Sequence, residues 1–248
     1  MNLIQALNNG YNLLKSNKII SYKIDAELLL CDTLNVTKEQ LILNLQRVIN
    51  YEDYNEFLLK IKRRNTNEPI AYILNKKEFW KNNFYVNKSV LIPRPETEHL
   101  VEEALSIVST NQKKKLLEIG IGSGCLITSI LKDRIECSAV GIDSCKKAIK
   151  IAKKNANLHQ IENRIKFFKS DVDNFVTGKY DLILSNPPYI DKHQLKYLDV
   201  SEYEPLSALD GGINGTEVLM KVIVKSCLLY TSDAADEGLG VDLGGRRI

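Results

Sequence analysis

An amide side chain, two prolines and an aromatic ring follow one another at Asn186, Pro187, Pro188 and Tyr189. The apolar run at residues 180–184 indicates a buried strand, which the prolines end because they lack an N–H donor and fix φ. The side-chain carbonyl of Asn186 and the backbone carbonyl of Pro187 could accept both hydrogens of a planar –NH2 group, while Tyr189 packs against it. The segment predicts a site for such a group. The alternative is a turn that merely ends the strand, because Asn-Pro and Pro-Pro are common loop dipeptides.

Three alternating glycines form a second candidate site, between an apolar strand near residue 116 and a helix predicted at residues 125–131. The segment consists of Gly120, Ile121, Gly122, Ser123 and Gly124. Glycine lets the backbone approach a ligand closely, and the helix that follows presents its positive N-terminal end. The spacing lacks the last glycine of the dinucleotide fingerprint, so alone it is weak evidence for a nucleotide-like ligand.

Acidic residues follow the next two predicted strands. Asp143 ends the strand at residues 138–142, and Asp171 with Val172 follows the strand at residues 165–169. Asp143 lies about 20 residues beyond the glycine turn, the distance at which an acidic residue binds the ribose of an adenosine ligand. Strands that alternate with helices predict an α/β fold with a doubly wound parallel sheet, whose ligands lie at the carboxyl ends of the strands.

With these features the chain resembles the class I S-adenosylmethionine-dependent methyltransferases, and more narrowly the release-factor glutamine methyltransferases of the HemK/PrmC type. Further strings carry the narrower resemblance, which extends over roughly residues 1 to 225. They lie at residues 68–73, 78–80, 84–86, 91–98, 203–205 and 208–212. The chain departs from the family pattern at Glu118 (often Asp), at Ile121 (often Thr), and at Asn67 and Asn75, where glycine is common.

The resemblance implies methyl transfer from S-adenosylmethionine to the side-chain amide (N5) of the glutamine in the Gly-Gly-Gln motif of peptide-chain release factors, which supports translation termination. The turn from Gly120 to Gly124 would hold the methionyl part of the cofactor, Asp143 the ribose, and Asp171 with Val172 the adenine. The catalytic and substrate-binding residues would be Asn186, Pro187, Pro188 and Tyr189, with Asn186 also beside the cofactor.

The chain divides into four predicted segments. Helical stripes at residues 1–74 predict an all-helical domain, which the resemblance makes a substrate-recognition domain. Residues 75–95 predict a β-hairpin linker around residues 81–83, and residues 96–226 a methyltransferase domain that is incomplete. Residues 227–248 follow no helix or strand period and contain no lysine or asparagine. We expect them to be unrelated sequence joined to a truncated coding sequence; a natural flexible tail is the alternative.

Composition excludes several classes of protein. A net charge of +3 is too small for a dedicated nucleic-acid binder, and no apolar run approaches the ~20 residues that span a bilayer. The N-terminus lacks an export signal, and five cysteines without a Cys-x-x-Cys motif indicate reduced thiols. The histidines, His99, His159 and His193, show no metal-ligand spacing. We expect a cytoplasmic monomer that binds no metal, reads no nucleic acid and enters no membrane.

Three other functions compete with this interpretation. A sister family methylates a glutamine in a ribosomal protein, but its linker differs from the string at residues 93–98. Enzymes that methylate the exocyclic amine of a nucleic-acid base share Asn-Pro-Pro-Tyr. They usually carry a nucleic-acid-reading domain, whereas residues 1–74 offer no aromatic and basic platform. The third alternative is a binding protein that keeps the fold but has lost activity through its altered C-terminus.

Overall fold

A computed structural model of the chain describes residues 1–230. Contacts between Cα atoms divide the chain into two compact units, Met1–Lys76 and Lys77–Ile248. The division falls two residues beyond the helical segment that the sequence predicts. The two units are described separately below, and the candidate ligand-binding residues all belong to the second.

The first unit is helical, as its apolar stripes predict. Its helices are α1 (Leu3–Ser16), α2 (Tyr22–Leu34), α3 (Lys38–Leu43), α4 (Tyr51–Asn65) and α5 (Ile70–Ile73). Their apolar faces form one core that includes Leu14, Leu29, Leu30 and Phe57, all fully buried. Thr37 caps α3 through a reciprocal capping box with Gln40, so this predicted helix start is confirmed.

Residues in the family string at residues 68–73, and two asparagines that flank it, have structural roles within the first unit. The buried carboxylate of Glu68 accepts hydrogen bonds from Nε and Nη2 of Arg63 at 2.9 and 2.8 Å, which ties α5 to α4. Asn67 and Asn75 have φ values of 63° and 51°. Glycine adopts this left-handed region without strain and asparagine tolerates it, which explains why both residue types suit these two positions.

A β-hairpin opens the second unit, with strands β1 (Lys76–Phe79) and β2 (Asn82–Tyr85). Its turn lies at Trp80 and Lys81, slightly earlier than the predicted centre, because Trp80 adopts a φ of 55° that its residue type does not suggest. Phe79 and Phe84 are fully buried beneath the hairpin. A 3-10 turn at Pro95–Thr97 then leads into α6 (Glu98–Ile107).

Four parallel strands form the central sheet, in the order β5-β4-β3-β6. The strands and the helices between them are β3 (Lys115–Ile119), α7 (Cys125–Asp133), β4 (Ser138–Asp143), α8 (Lys146–Leu158), β5 (Ile165–Lys169) and β6 (Leu182–Ser185). Alternating residues face opposite sides of the sheet. Leu116 therefore packs in the first core of this unit, on one face, and Leu117 packs in its second core, on the other face. The predicted α/β class and parallel sheet are confirmed. All four carboxyl ends meet at one edge of the sheet.

The chain beyond β6 forms short helical segments, including α9 (Lys192–Leu195), and then α10 (Glu217–Leu229). The sequence predicts no helix or strand from residue 227 onwards. This was wrong for residues 227–229, which form the last turn of α10. Tertiary packing decides this stretch: Val222 and Leu229 are buried in the second core, and the backbone N–H of Tyr180 donates to the carbonyl of Leu229. The rest of the predicted tail, residues 231–248, lies outside the described residues.

Candidate active site

A cavity of about 320 Å³ lies at the carboxyl ends of the four parallel strands. It brings together most residues that the sequence predicts as ligand-binding. They are Gly120, Ile121, Gly122, Ser123, Asp143, Asp171, Val172, Asn186, Pro187 and Pro188. Gly124 does not line this cavity. A Cβ at Gly124 would lie 3.3 Å from Cβ of Ala152, so this glycine serves the close approach of the turn to α8.

The glycine turn owes its shape to backbone conformation. Gly120, Gly122 and Gly124 have φ values of 73°, 53° and 76°, which L-residues with a Cβ rarely adopt. A Cβ at Gly120 would meet no atom within 4 Å, so the requirement there is conformational and not spatial. The turn leads directly into the N-terminus of α7, where the positive end of the helix dipole favours a negatively charged or polar ligand group.

Asp143 supports the turn and also lines the cavity. Its Oδ2 accepts the N–H of Gly122 at 2.9 Å and its Oδ1 accepts the N–H of Cys145 at 2.8 Å. Burial raises the pKa of this carboxyl, although the two backbone hydrogen bonds oppose that change. Each carboxylate oxygen has two lone pairs, so Asp143 can accept further hydrogen bonds from ligand hydroxyls.

Glu118 is a buried carboxylate in the cavity wall to which the sequence assigned no role. Its Oε2 accepts the N–H of Ile127 in the first turn of α7 at 3.1 Å. Burial, with a smaller effect of the negative charge on Asp143, raises the pKa of Glu118 well above its ordinary value. Its position at the end of β3, directly before the glycine turn, was the available sequence signal. A cationic ligand group would compensate this buried carboxylate.

Asp171 and Val172 line the opposite part of the cavity, after β5. Both carboxylate oxygens of the exposed Asp171 are engaged by Asn174, through its backbone and side-chain nitrogens at 2.8 Å. These hydrogen bonds lower the pKa of Asp171. Val172 packs against the second core and presents an apolar surface.

Asn186 is held by a hydrogen bond that the sequence did not predict. Its Nδ2 donates to Oγ1 of Thr97 at 3.0 Å. The preceding Ser185 is fixed in turn, because its Oγ donates to the carbonyl of Ile119 at 2.8 Å. No donor within residues 1–230 reaches Oδ1 of Asn186 or the carbonyl of Pro187. Two oxygen acceptors are therefore available at the end of β6.

A second cavity of about 250 Å³ adjoins the first. The two share walls formed by Arg94, Thr97 and the segment Asn186, Pro187 and Pro188. Tyr189 lines only the second cavity and is 70% exposed, so its ring is accessible to a large partner. Two ligands bound in the two cavities would meet at Asn186 and Pro187.

Three other family strings meet at this shared wall. The buried carboxylate of Glu204 accepts from Nη2 of Arg94 at 2.6 Å and from the N–H of Ile92 at 3.1 Å. Gly211 lies so close to Tyr189 that a Cβ would approach Cα of the tyrosine to 2.7 Å. The strings at residues 91–98, 203–205 and 208–212 therefore build the walls around the Asn-Pro-Pro-Tyr segment.

Asn155 joins the hairpin to the glycine turn. It is fully buried on α8, its Oδ1 accepts from the N–H of Tyr85, and its Nδ2 donates to the carbonyls of Tyr85 and Ser123 at 2.9 and 2.8 Å. No sequence pattern indicates this role, because the partners lie 70 and 32 residues away.

Asn155→Ala is expected to lower the free energy of unfolding by about 3 kcal/mol, because the N–H and carbonyl of Tyr85 and the carbonyl of Ser123 lose their partner. Urea denaturation followed by circular dichroism measures the change. Asn157→Ala is the matched control, since Asn157 is exposed on the same helix and should change stability by less than about 0.5 kcal/mol. Equal stability of the two variants would contradict this role of Asn155.

Nucleophilic thiol chemistry at Cys125 is not supported by its surroundings. This cysteine lines the first cavity, but burial raises the pKa of its thiol to about 12. Within residues 1–230, no three His, Cys, Asp or Glu side chains cluster in a way that could hold a metal ion. None of the helices described for these residues is both long and apolar enough to cross a membrane.

Comparison with known proteins gives family matches in both units. Residues 5–74 match the PrmC N-terminal domain, and residues 98–202 match the methyltransferase small domain. A release factor glutamine methyltransferase of Leptospira interrogans is 38% identical over 84% of this chain and 74% of its own length. A protein of the same name from Nitratidesulfovibrio vulgaris is 34% identical, over 86% and 73%. Another, from Buchnera aphidicola subsp. Schizaphis graminum, is 35% identical, over 89% and 81%.

Similarity to solved structures is weaker. A ribosomal protein L11 methylase of Lactobacillus delbrueckii subsp. bulgaricus is 18% identical with a TM-score of 0.40, over 62% of this chain and 66% of that chain. The relationship to known proteins therefore rests on the sequence matches.

Proposed function

Since this chain belongs to the release factor glutamine methyltransferase family, we propose that it transfers the methyl group of S-adenosylmethionine to the side-chain amide nitrogen of a glutamine in peptide-chain release factors. The observation that carries the proposal is the pair of available acceptors at the wall between the two cavities, Oδ1 of Asn186 and the carbonyl of Pro187. A primary amide has two N–H groups in one plane, which two such acceptors can bind together.

An amide nitrogen is a poor nucleophile, because its lone pair is delocalised into the carbonyl. Asn186 and Pro187 would orient this nitrogen and restrict its motion, and such positioning can supply a large part of the acceleration. Their oxygens would also stabilise the positive charge that develops on nitrogen as it forms the new bond. Pro188 would keep the backbone rigid, and Tyr189 would pack against the plane of the amide.

When bound, S-adenosylmethionine supplies an electrophilic methyl carbon, whose bond to sulfur breaks as the bond to nitrogen forms, leaving a neutral thioether. We assign no general base to the chain, because an amide nitrogen that has gained a methyl group is acidic enough to release its proton to water. The task of the protein is therefore to bind and align the two reacting groups.

The first cavity has the chemistry that this cofactor requires. The turn from Gly120 to Gly124 would hold the methionyl part, with Gly124 fixing the course of the turn. Asp143 would bind the ribose hydroxyls, and Asp171 with Val172 would lie beside the adenine. The buried carboxyl of Glu118 suits the ammonium group of the methionyl part, because it forms no salt bridge within residues 1–230 and a cation beside it would offset the effect of burial.

The second cavity would accept the glutamine and its neighbours in the release factor, since it is lined by Tyr189 and shares Asn186 with the first. We assign substrate recognition to the helical unit at residues 1–74, on the basis of its match to the PrmC N-terminal domain.

A methylation assay tests the function directly. The protein is incubated with S-adenosylmethionine labelled at the methyl group and with a purified release factor, its Gln→Asn variant in the Gly-Gly-Gln motif, ribosomal proteins, or ribosomal RNA. We expect label in the release factor and none in the Gln→Asn variant, whose shorter amide cannot reach the wall between the cavities. Label in ribosomal proteins or RNA, with none in the release factor, would overturn the assignment.

A further inference from the structure

Thr97 lies at the end of the 3-10 turn Pro95–Thr97, directly before α6. Its side chain is buried, and its Oγ1 accepts a hydrogen bond from Nδ2 of Asn186 at 3.0 Å. The two residues are 89 positions apart in sequence. Both line the wall that the two cavities share. The bond therefore joins the residue proposed to bind the substrate amide to a different part of the fold.

We propose that Thr97 is a positioning residue that holds the Asn186 side chain at the shared wall with Oδ1 left for the substrate, an inference that rests on the proposed function. The side chain of asparagine has two N–H donors on one end and an oxygen acceptor on the other. A substrate amide approaches with its own N–H groups. Only the orientation with Oδ1 towards the substrate forms a hydrogen bond, and the rotated orientation sets donors against donors.

The shape of the asparagine side chain alone does not select the productive orientation. Its oxygen and nitrogen ends are nearly the same size, and its terminal torsion is broad with two-fold character. The hydrogen bond to Thr97 engages the nitrogen end, so Oδ1 is left as the end that can face a ligand. A binding site that already holds its functional group in the reactive orientation avoids the free-energy cost of rotating that group during the reaction.

Thr97 is itself fixed in place by the segment that precedes it. Its backbone N–H donates to the carbonyl of Arg94 at 3.1 Å. The guanidinium of Arg94 and the N–H of Ile92 both donate to the buried carboxylate of Glu204. Pro95 further restricts the backbone between them. The Thr97 hydroxyl is thus presented by a rigid segment, so that it can hold the Asn186 side chain in place.

The test compares Thr97→Val, which removes the hydroxyl at nearly constant shape, with Thr97→Ser, which keeps it. We expect Thr97→Val to lower kcat on the release factor by about tenfold, the loss of one hydrogen bond. Thr97→Ser should stay within about twofold of wild type, and the Kd of both variants for S-adenosylmethionine should be unchanged. In an Asn186→Ala background, Thr97→Val should cause no further loss, because its effect passes through Asn186.

A second measurement does not depend on activity. In 15N NMR spectra the side-chain NH2 of Asn186 is assigned by its disappearance in Asn186→Ala. The hydrogens of this NH2 group should exchange with water faster in Thr97→Val, and their chemical shifts should change. Neither change is expected in Thr97→Ser. An unchanged NH2 signal in Thr97→Val, or an equal loss of kcat from this substitution with and without Asn186, would overturn the inference. A wild-type chain that methylates no release factor would instead overturn the proposed function, and the NMR comparison would still decide the role of Thr97.

Discussion

Asn186→Ala is expected to lower kcat on a release factor by about a thousandfold, while the Kd for S-adenosylmethionine stays within about threefold of the wild-type value. Removal of one preorganised group that stabilises developing charge typically costs about 10²–10³ in turnover. The variant also loses the bond to Thr97, but the glycine turn after β3 and Asp143 at the end of β4 remain intact. Single-turnover kinetics and calorimetry separate the two quantities.

Asn157→Ala serves as the control for this comparison, because it removes the same amide from an exposed position on α8. It should retain wild-type turnover. If Asn186→Ala also turned over like wild type, Asn186 would have no catalytic role. A loss of cofactor affinity as large as the loss of turnover would instead place its main role in cofactor binding.

Asp143→Ala is expected to weaken the binding of S-adenosylmethionine by about a hundredfold. The carboxylate would lose its hydrogen bonds to the ribose, each worth about 1.5–3 kcal/mol for a charged group. The N–H groups of Gly122 and Cys145 would also lose their acceptor, so the turn itself becomes less well defined. Titration calorimetry measures the Kd, and Glu136→Ala, which removes an exposed carboxylate, should leave it unchanged.

The pH dependence of cofactor binding, compared between the wild type and Asp143→Ala, provides an independent check on Asp143, because the pKa of Glu118 in the same cavity is also raised. Burial raises the pKa of this carboxyl, so it takes up a proton at a higher pH than an ordinary aspartate does. Protonation removes acceptor capacity, and the affinity should therefore fall as the pH is lowered through this raised pKa.

An unchanged Kd for Asp143→Ala at neutral pH would show that Asp143 does not bind the ribose.

The positions of Asp143 and Asn186 could be predicted because each follows an apolar run that forms a parallel strand. Parallel strands place their carboxyl ends at one edge of the sheet, so residues far apart in sequence lie around one cavity. The glycine turn was recognisable for the same reason. Periodicity and position along the chain were sufficient for these residues.

Contacts between side chains from distant segments could not be predicted in this way. The pairs Thr97 with Asn186 and Arg94 with Glu204 lie 89 and 110 residues apart, and no periodic pattern connects them. Their strings were noticed only through the family resemblance, without a physical role. Gly124 was placed in the ligand site, whereas it packs against Ala152, because a sequence does not show which neighbour a glycine must approach.

The shared wall at Asn186 and Pro187 constrains the order of events in the proposed reaction. Donor and acceptor would occupy adjoining cavities and meet at one point, so a ternary complex must form before any bond changes. The methyl group would then cross in a single displacement, with inversion at carbon. Catalysis would proceed without a stage in which the polypeptide itself carries the transferred group.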